Sequence, residues 1–190
     1  MDKIDNLKGS LVIFIITFFI AILVTLVSQS QVHGMSLTPA IIVLLLIIFA
    51  GVFFDMIGVA ATVARNGPFN AKASKKIFGA KEGLFLAKNG ERVSSFMCDV
   101  VGDICGTISG AIGAVIVLQI VRNFSAPQTP INLILMGIIS ALTVGGKAFA
   151  KRFAIEKAHE IIFVAGKFLA TLKIMKIFLK KKLRGGNFND

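Results

Sequence analysis

Asp99 and Asp103 stand four residues apart in an apolar stretch, Ser94 to Val121, long enough to cross a membrane. On a helix that spacing puts both carboxylates on one face. A third acid, Asp55, is the one charge in the apolar run from Thr38 to Val63. Carboxylates supported by hydroxyls, here Ser95, Ser109 and Thr143, are the hard oxygen donors that hold a partly hydrated Mg²⁺. An ionisable side chain within a span marks a functional site by default. A central carboxylate costs of order 2.5 to 3.5 kcal/mol to insert, so Asp55 is expected to face other helices or a water-filled cavity. Asp103 and Asp55 rank ahead of Asp99, which falls nearer the edge of its span. The plainer reading keeps these acids buried, protonated or hydrogen-bonded to Lys147 and backbone, serving helix association. Lys147 taken alone reads as a lysine snorkelling at the membrane boundary.

Other chemistries are poorly supplied. Cys98 and Cys105, seven apart on one helix, have Cα atoms about 10 Å apart, too far for a disulfide, and neither has a second Cys or a His at metal-ligand spacing. They read as small buried apolar residues. His33 and His159 have no ligand-spaced companions and are expected to be solvated, and Ser94 and Ser95 read as a helix start. No G-x-S-x-G, H-E-x-x-H, C-x-x-C or P-loop spacing occurs, so an enzyme is not expected.

The elements that must position the acids follow from hydropathy. Hydrophobic residues make up 55% of the 190, mean hydropathy is +0.83, and the long uncharged runs exceed what a soluble domain carries. An all-α integral membrane protein with four transmembrane helices is expected. The first is Leu11 to Val27, too long and too weakly flanked for a secretory signal. The second runs from Thr38, with Pro39 in its first turn, to Val63. The third is Ser94 to Val121, in which Gly102, Gly106 and Gly110 form a small-residue ridge against which a second helix can pack. The fourth is Ile131 to Val144, continued by GGKAFA.

Between the second and third spans, Arg65 to Arg92 carries seven Lys or Arg against two Glu. Its pieces FNAKASKKIF and AKEGLFLAK read as a short amphipathic helical hairpin on the membrane surface. From Lys147 onward lysines alternate with apolar residues as in a basic amphipathic interfacial helix, and the tail GGNFND reads as disordered. The chain divides into residues 1–37, an extra span and connector; 38–149, a three-helix core with its hairpin at 65–92; and 150–190, a basic juxtamembrane helix and tail.

Of the 21 Lys and Arg, only Arg122 falls in the two connectors that four spans assign to one side. The positive-inside rule then places both termini in the cytoplasm of a multi-pass plasma-membrane protein. The net charge of +11 faces anionic lipid, and no nucleic-acid partner is expected.

Four landmarks, FFDMIGVAATVA, GAKEGLFLAKNGERVSSF, VGDICG and VGGKAFAKRFA, occur in an order and spacing that resembles the transmembrane domain of the cyclin-M (CNNM) and CorB/CorC magnesium transporters. The resemblance covers about Ile42 to Leu172 and leaves the first span as an extra element. It implies a small helical domain with a polar cavity between its spans, a homodimer, and transport of a divalent cation, Mg²⁺ or Co²⁺, coupled to Na⁺. By position Asp103 falls where that family has the Asn of a Gly-Asn pair, and Lys147 matches the Lys of its E-x-x-P-K motif. Thr143 and Gly146 stand at the Glu and Pro of that motif, and Gly58 at the family's acid after FF, with Asp55 displaced toward the motif's start. The resemblance thus pairs Asp103 with Asp55 across two helices. The family's nucleotide-sensing and C-terminal domains are not in the chain, which leaves a second class open, a non-transporting membrane scaffold or regulatory subunit that recruits a partner or anionic lipid.

Overall fold

The computed structural model describes residues 11, 14–23, 25, 26, 34–125 and 127–184. The N-terminal decapeptide, whose two Asp and two Lys cancel, most of the first connector with His33, and the tail from Gly185 lie outside them. Every regular element described is helical: α1 (Phe14–Leu23), α2 (Leu37–Val63), α3 (Asn66–Ser74), α4 (Ala80–Lys88), α5 (Gly90–Ser94), α6 (Asp103–Phe124), α7 (Gln128–Glu156) and α8 (Ala158–Arg184). A π-helical stretch, Ser95–Gly102, joins α5 to α6, so Gly90–Phe124 is one continuous helix of 35 residues.

Three helices among the described residues are long and apolar enough to cross a membrane: Leu37–Val63, Gly90–Phe124 and Gln128–Glu156. At about 1.5 Å per residue even the shortest spans roughly 40 Å, against a hydrocarbon core of about 30 Å. The expected first span, Leu11 to Val27, is described only in part, as the apolar helix α1.

The expected fourth span is extended by the structure. Gly145 and Gly146 do not end it, and α7 runs on to Glu156, with a turn at Lys157 before α8. Glycine only weakens a helix, and Val52 packs on Gly146. In the hairpin, α3 starts three residues before Phe69, with Pro68 in the first turn where its missing N–H costs nothing. It stops at Ser74 because Lys76 (φ 54°) and Gly79 (φ 81°) take left-handed backbone conformations.

The chain forms two compact units, residues 1–55 with 97–150, and 56–96 with 151–190. In the first, Ala40, Leu44 and Ile48 of α2 meet Ile108, Ile112, Val115 and Ile116 of α6 and Ile139 of α7. The α2 residues recur every four positions and form one buried stripe. Gly51 and Asp55 continue that stripe toward the C-terminal end. Gly113 faces Ile139 and Met136, a contact that lets α7 close on α6.

In the second unit, Ile57, Ala60, Ala61 and Ala64 from the end of α2 bury with Phe69, Leu86, Ala154, Ala158 and Ile162. Backbone contact between α4 and α8 is very close, because a Cβ on Gly166 would meet the nitrogen of Gly83 at 2.5 Å and the oxygen of Gly79 at 2.6 Å. Gly83 in turn makes room for the Phe69 ring.

Candidate functional site

Among the described residues, Asp55 is the buried charged side chain of the first unit, 3% exposed at the end of the α2 stripe. Lys147 Nζ on α7 stands 3.8 Å from Asp55 Oδ1, and the lysine side chain retains 22% of its exposure. At that separation the charges attract without a direct hydrogen bond. Asp55 Oδ2 is buried and, among the described residues, has no hydrogen-bond partner. A carboxylate offers about four lone-pair directions, so the group keeps acceptor capacity aimed into the interior.

Glycines explain how the two side chains reach each other there. A Cβ on Gly51 would lie 2.9 Å from Cys105 Cβ, so α2 and α6 approach at that level. A Cβ on Gly102 would come within 3.2 Å of Lys147 Nζ, so its absence leaves the ammonium its place. Val52 against Gly146 brings α7 in immediately beside Lys147. Cys98 Sγ donates to the Asp55 carbonyl at 3.5 Å. Cys98, Gly102 and Cys105, spaced four and three apart, are therefore the row that faces α2 and α7. The Cys98 contact lies in the π-helical stretch, a distortion often found at functional sites.

This geometry places Lys147, not Asp103, beside Asp55. Asp99 and Asp103 follow Cys98 and Gly102 by one residue each, a rotation of about 100° at 3.6 residues per turn, and both side chains are exposed. No group of three or more His, Cys, Asp or Glu gathers among the described residues. Among the described residues the charged neighbour of Asp55 is Lys147, whose side chain also reaches the surface.

The supporting hydroxyls are turned inward on their own helices. Buried Ser109 donates to the Gly106 carbonyl at 2.8 Å, and Thr143 donates to the Ile139 carbonyl at 2.8 Å. Exposed Ser95 belongs to the π-helical stretch. Along the glycine ridge, a Cβ on Gly102 would meet Lys147, whereas one on Gly106 or Gly110 would meet no atom within 4 Å among the described residues. The close approaches in this unit are made at Gly51, Gly102, Gly113 and Gly146.

His159, expected to be solvated, is half-buried in the second unit. Its Nε2 accepts the Arg65 backbone N–H at 3.3 Å, and its ring stacks on Phe69 with centroids 5.9 Å apart. It satisfies a donor at the start of α3 that no side chain of α3 itself caps.

No protein-family model, curated protein or solved structure matches the chain.

Proposed function

We propose that the chain is a multi-pass membrane protein that binds and passes a divalent cation, Mg²⁺ or Co²⁺, with Asp55 as the binding carboxylate. The observation that carries this reading is the Asp55 side chain itself, buried, with Oδ2 unpartnered among the described residues and Lys147 Nζ 3.8 Å from Oδ1. A structural ion pair gains by saturating both oxygens of its carboxylate. This one leaves an oxygen open, as a site that exchanges one cation for another requires.

Lys147 acts here as a tethered counter-ion. While no cargo is bound, its ammonium balances Asp55 and spares the interior an isolated charge. An arriving cation takes the carboxylate and keeps most of its waters. Repelled by it, the ammonium withdraws toward the exposed side of its helix. The membrane setting is supported by the three span-length helices and by outward apolar residues such as Phe49, Phe53, Leu133, Ile134 and Leu142. We further propose kinship with the cyclin-M and CorB/CorC transmembrane domain, with Na⁺ as coupling ion, assembly as a homodimer and both termini in the cytoplasm.

The alternative, a non-transporting scaffold, is favoured by the neutrality of the Asp55–Lys147 pair within the chain. The two readings part in proteoliposomes. A transporter binds or passes Mg²⁺ or Co²⁺, loses this with Asp55→Asn and keeps it with Asp103→Ala; a wild type with neither binding nor flux leaves the scaffold. Reporters fused at Gly34 and after Lys88 should report outside and inside respectively, and the reverse pattern would overturn the four-span topology.

A further inference from the structure

In the second unit, Lys72 of α3 and Lys167 of α8 converge on one aromatic ring. Their Nζ atoms lie 4.2 and 4.5 Å from the Phe163 centroid. Both ammonium groups are therefore held around the same ring. Among the described residues neither lysine forms a salt bridge, although Lys173 of the same helix is paired with Glu82 at 3.2 Å. Holding two like charges together costs energy unless an anion joins them. The ring attracts each cation and fixes where it sits.

Next to this pair, α8 turns a second apolar face outward. Ile162, Gly166 and Ala170 face inward, whereas Val164, Phe168, Leu172 and Met175, at steps of four, four and three, are exposed. A helix with one buried apolar face and another left open, edged by lysines, matches the surface of an anionic leaflet in both charge and polarity.

We propose that Lys72 and Lys167, gathered on Phe163, hold the phosphate of an anionic lipid whose acyl chains lie along the Val164–Phe168–Leu172 face of α8. A free phosphate offers the same oxyanion chemistry, but only a lipid also covers the apolar face. The proposal rests on the membrane setting argued above and is independent of the cation site.

The test uses the full chain in phosphatidylcholine nanodiscs, with and without phosphatidic acid, read by thermal unfolding and by lipid retention in native mass spectrometry. Phosphatidic acid should stabilise the wild type, and Lys72→Ala/Lys167→Ala should weaken its retention about tenfold, equivalent to roughly 1.4 kcal/mol. The Lys72→Arg/Lys167→Arg variant should keep it, as should Lys75→Ala/Lys76→Ala at the exposed hairpin turn. Equal losses in both alanine pairs would mean diffuse electrostatic attraction and overturn the site. Full displacement by matched inorganic phosphate would assign the site to a soluble anion and overturn the lipid. If Phe168→Glu abolishes self-association while lipid retention is unchanged, a second copy covers α8 and the proposal falls. A wild-type chain that does not enter nanodiscs at all would overturn the membrane reading and this site with it, whereas an inserted chain without headgroup preference overturns the site alone.

Discussion

Lys147 Nζ and Asp55 Oδ1 stand 3.8 Å apart between α7 and α2, close enough for each charge to neutralise the other and too far for a hydrogen bond. The second carboxylate oxygen is buried and unpartnered among the described residues. Each feature of this pair leads to a measurable consequence.

Removing the lysine alone leaves a buried carboxylate without its counter-ion. Lys147→Met should destabilise the protein by about 3 kcal/mol, measured by unfolding in detergent. Lys147→Met/Asp55→Asn should recover most of that loss, since no charge then stays uncompensated. Additive losses in the double variant would show that the two residues do not interact.

The glycines in contact and the open ones should respond oppositely. Gly51→Ala pushes a Cβ against Cys105 and should cost about 1 to 3 kcal/mol. Gly106→Ala and Gly110→Ala add a methyl group to open space and should be neutral or stabilising by up to about 1 kcal/mol. Thermal unfolding of the three variants checks this. A loss at Gly106 as large as that at Gly51 would put a second helix on the open face.

At the hairpin, Gly166→Ala drives a Cβ into the backbone of Gly83 and Gly79. It should loosen α4 from α8 and speed cleavage at Lys75 and Lys76 by a lysine-specific protease at least severalfold. Unchanged cleavage would show that the backbone contact does not hold the hairpin.

His159→Ala removes the acceptor of the Arg65 N–H and the stack on Phe69. A loss of about 1 to 2 kcal/mol is expected, with faster amide exchange at Arg65. Exchange no faster than in the wild type would mean that the imidazole does not cap α3.

Helix type, the long apolar helices and the hairpin were legible from hydropathy and punctuation, because Pro39, Gly79 and the lysine-rich connection mark boundaries by local chemistry. Which face of each span is buried was not. Helix α2 is apolar on all sides, so nothing in its pattern separates the Ala40–Leu44–Ile48 stripe from the exposed Ile42, Leu46 and Phe49. Asp55 stood out as the lone charge, but its partner depended on that hidden face. The family resemblance pointed to Asp103 as that partner, yet the row turned to α2 holds Cys98, Gly102 and Cys105. Gly51, four residues before Asp55, was the signal that could have located the contact. The role of His159 depends on a residue 94 positions away, which spacing alone does not reveal.

The most direct measurement is Mg²⁺ and Co²⁺ binding to purified wild type, Asp55→Asn and Lys147→Gln, by calorimetric titration in nanodiscs. If Asp55 is the binding carboxylate and Lys147 its tethered competitor, the wild type binds and Asp55→Asn weakens binding at least about tenfold. Lys147→Gln, with the internal cation gone, then binds more tightly than the wild type. Binding that is absent from the wild type, or unchanged by Asp55→Asn, would contradict the assignment.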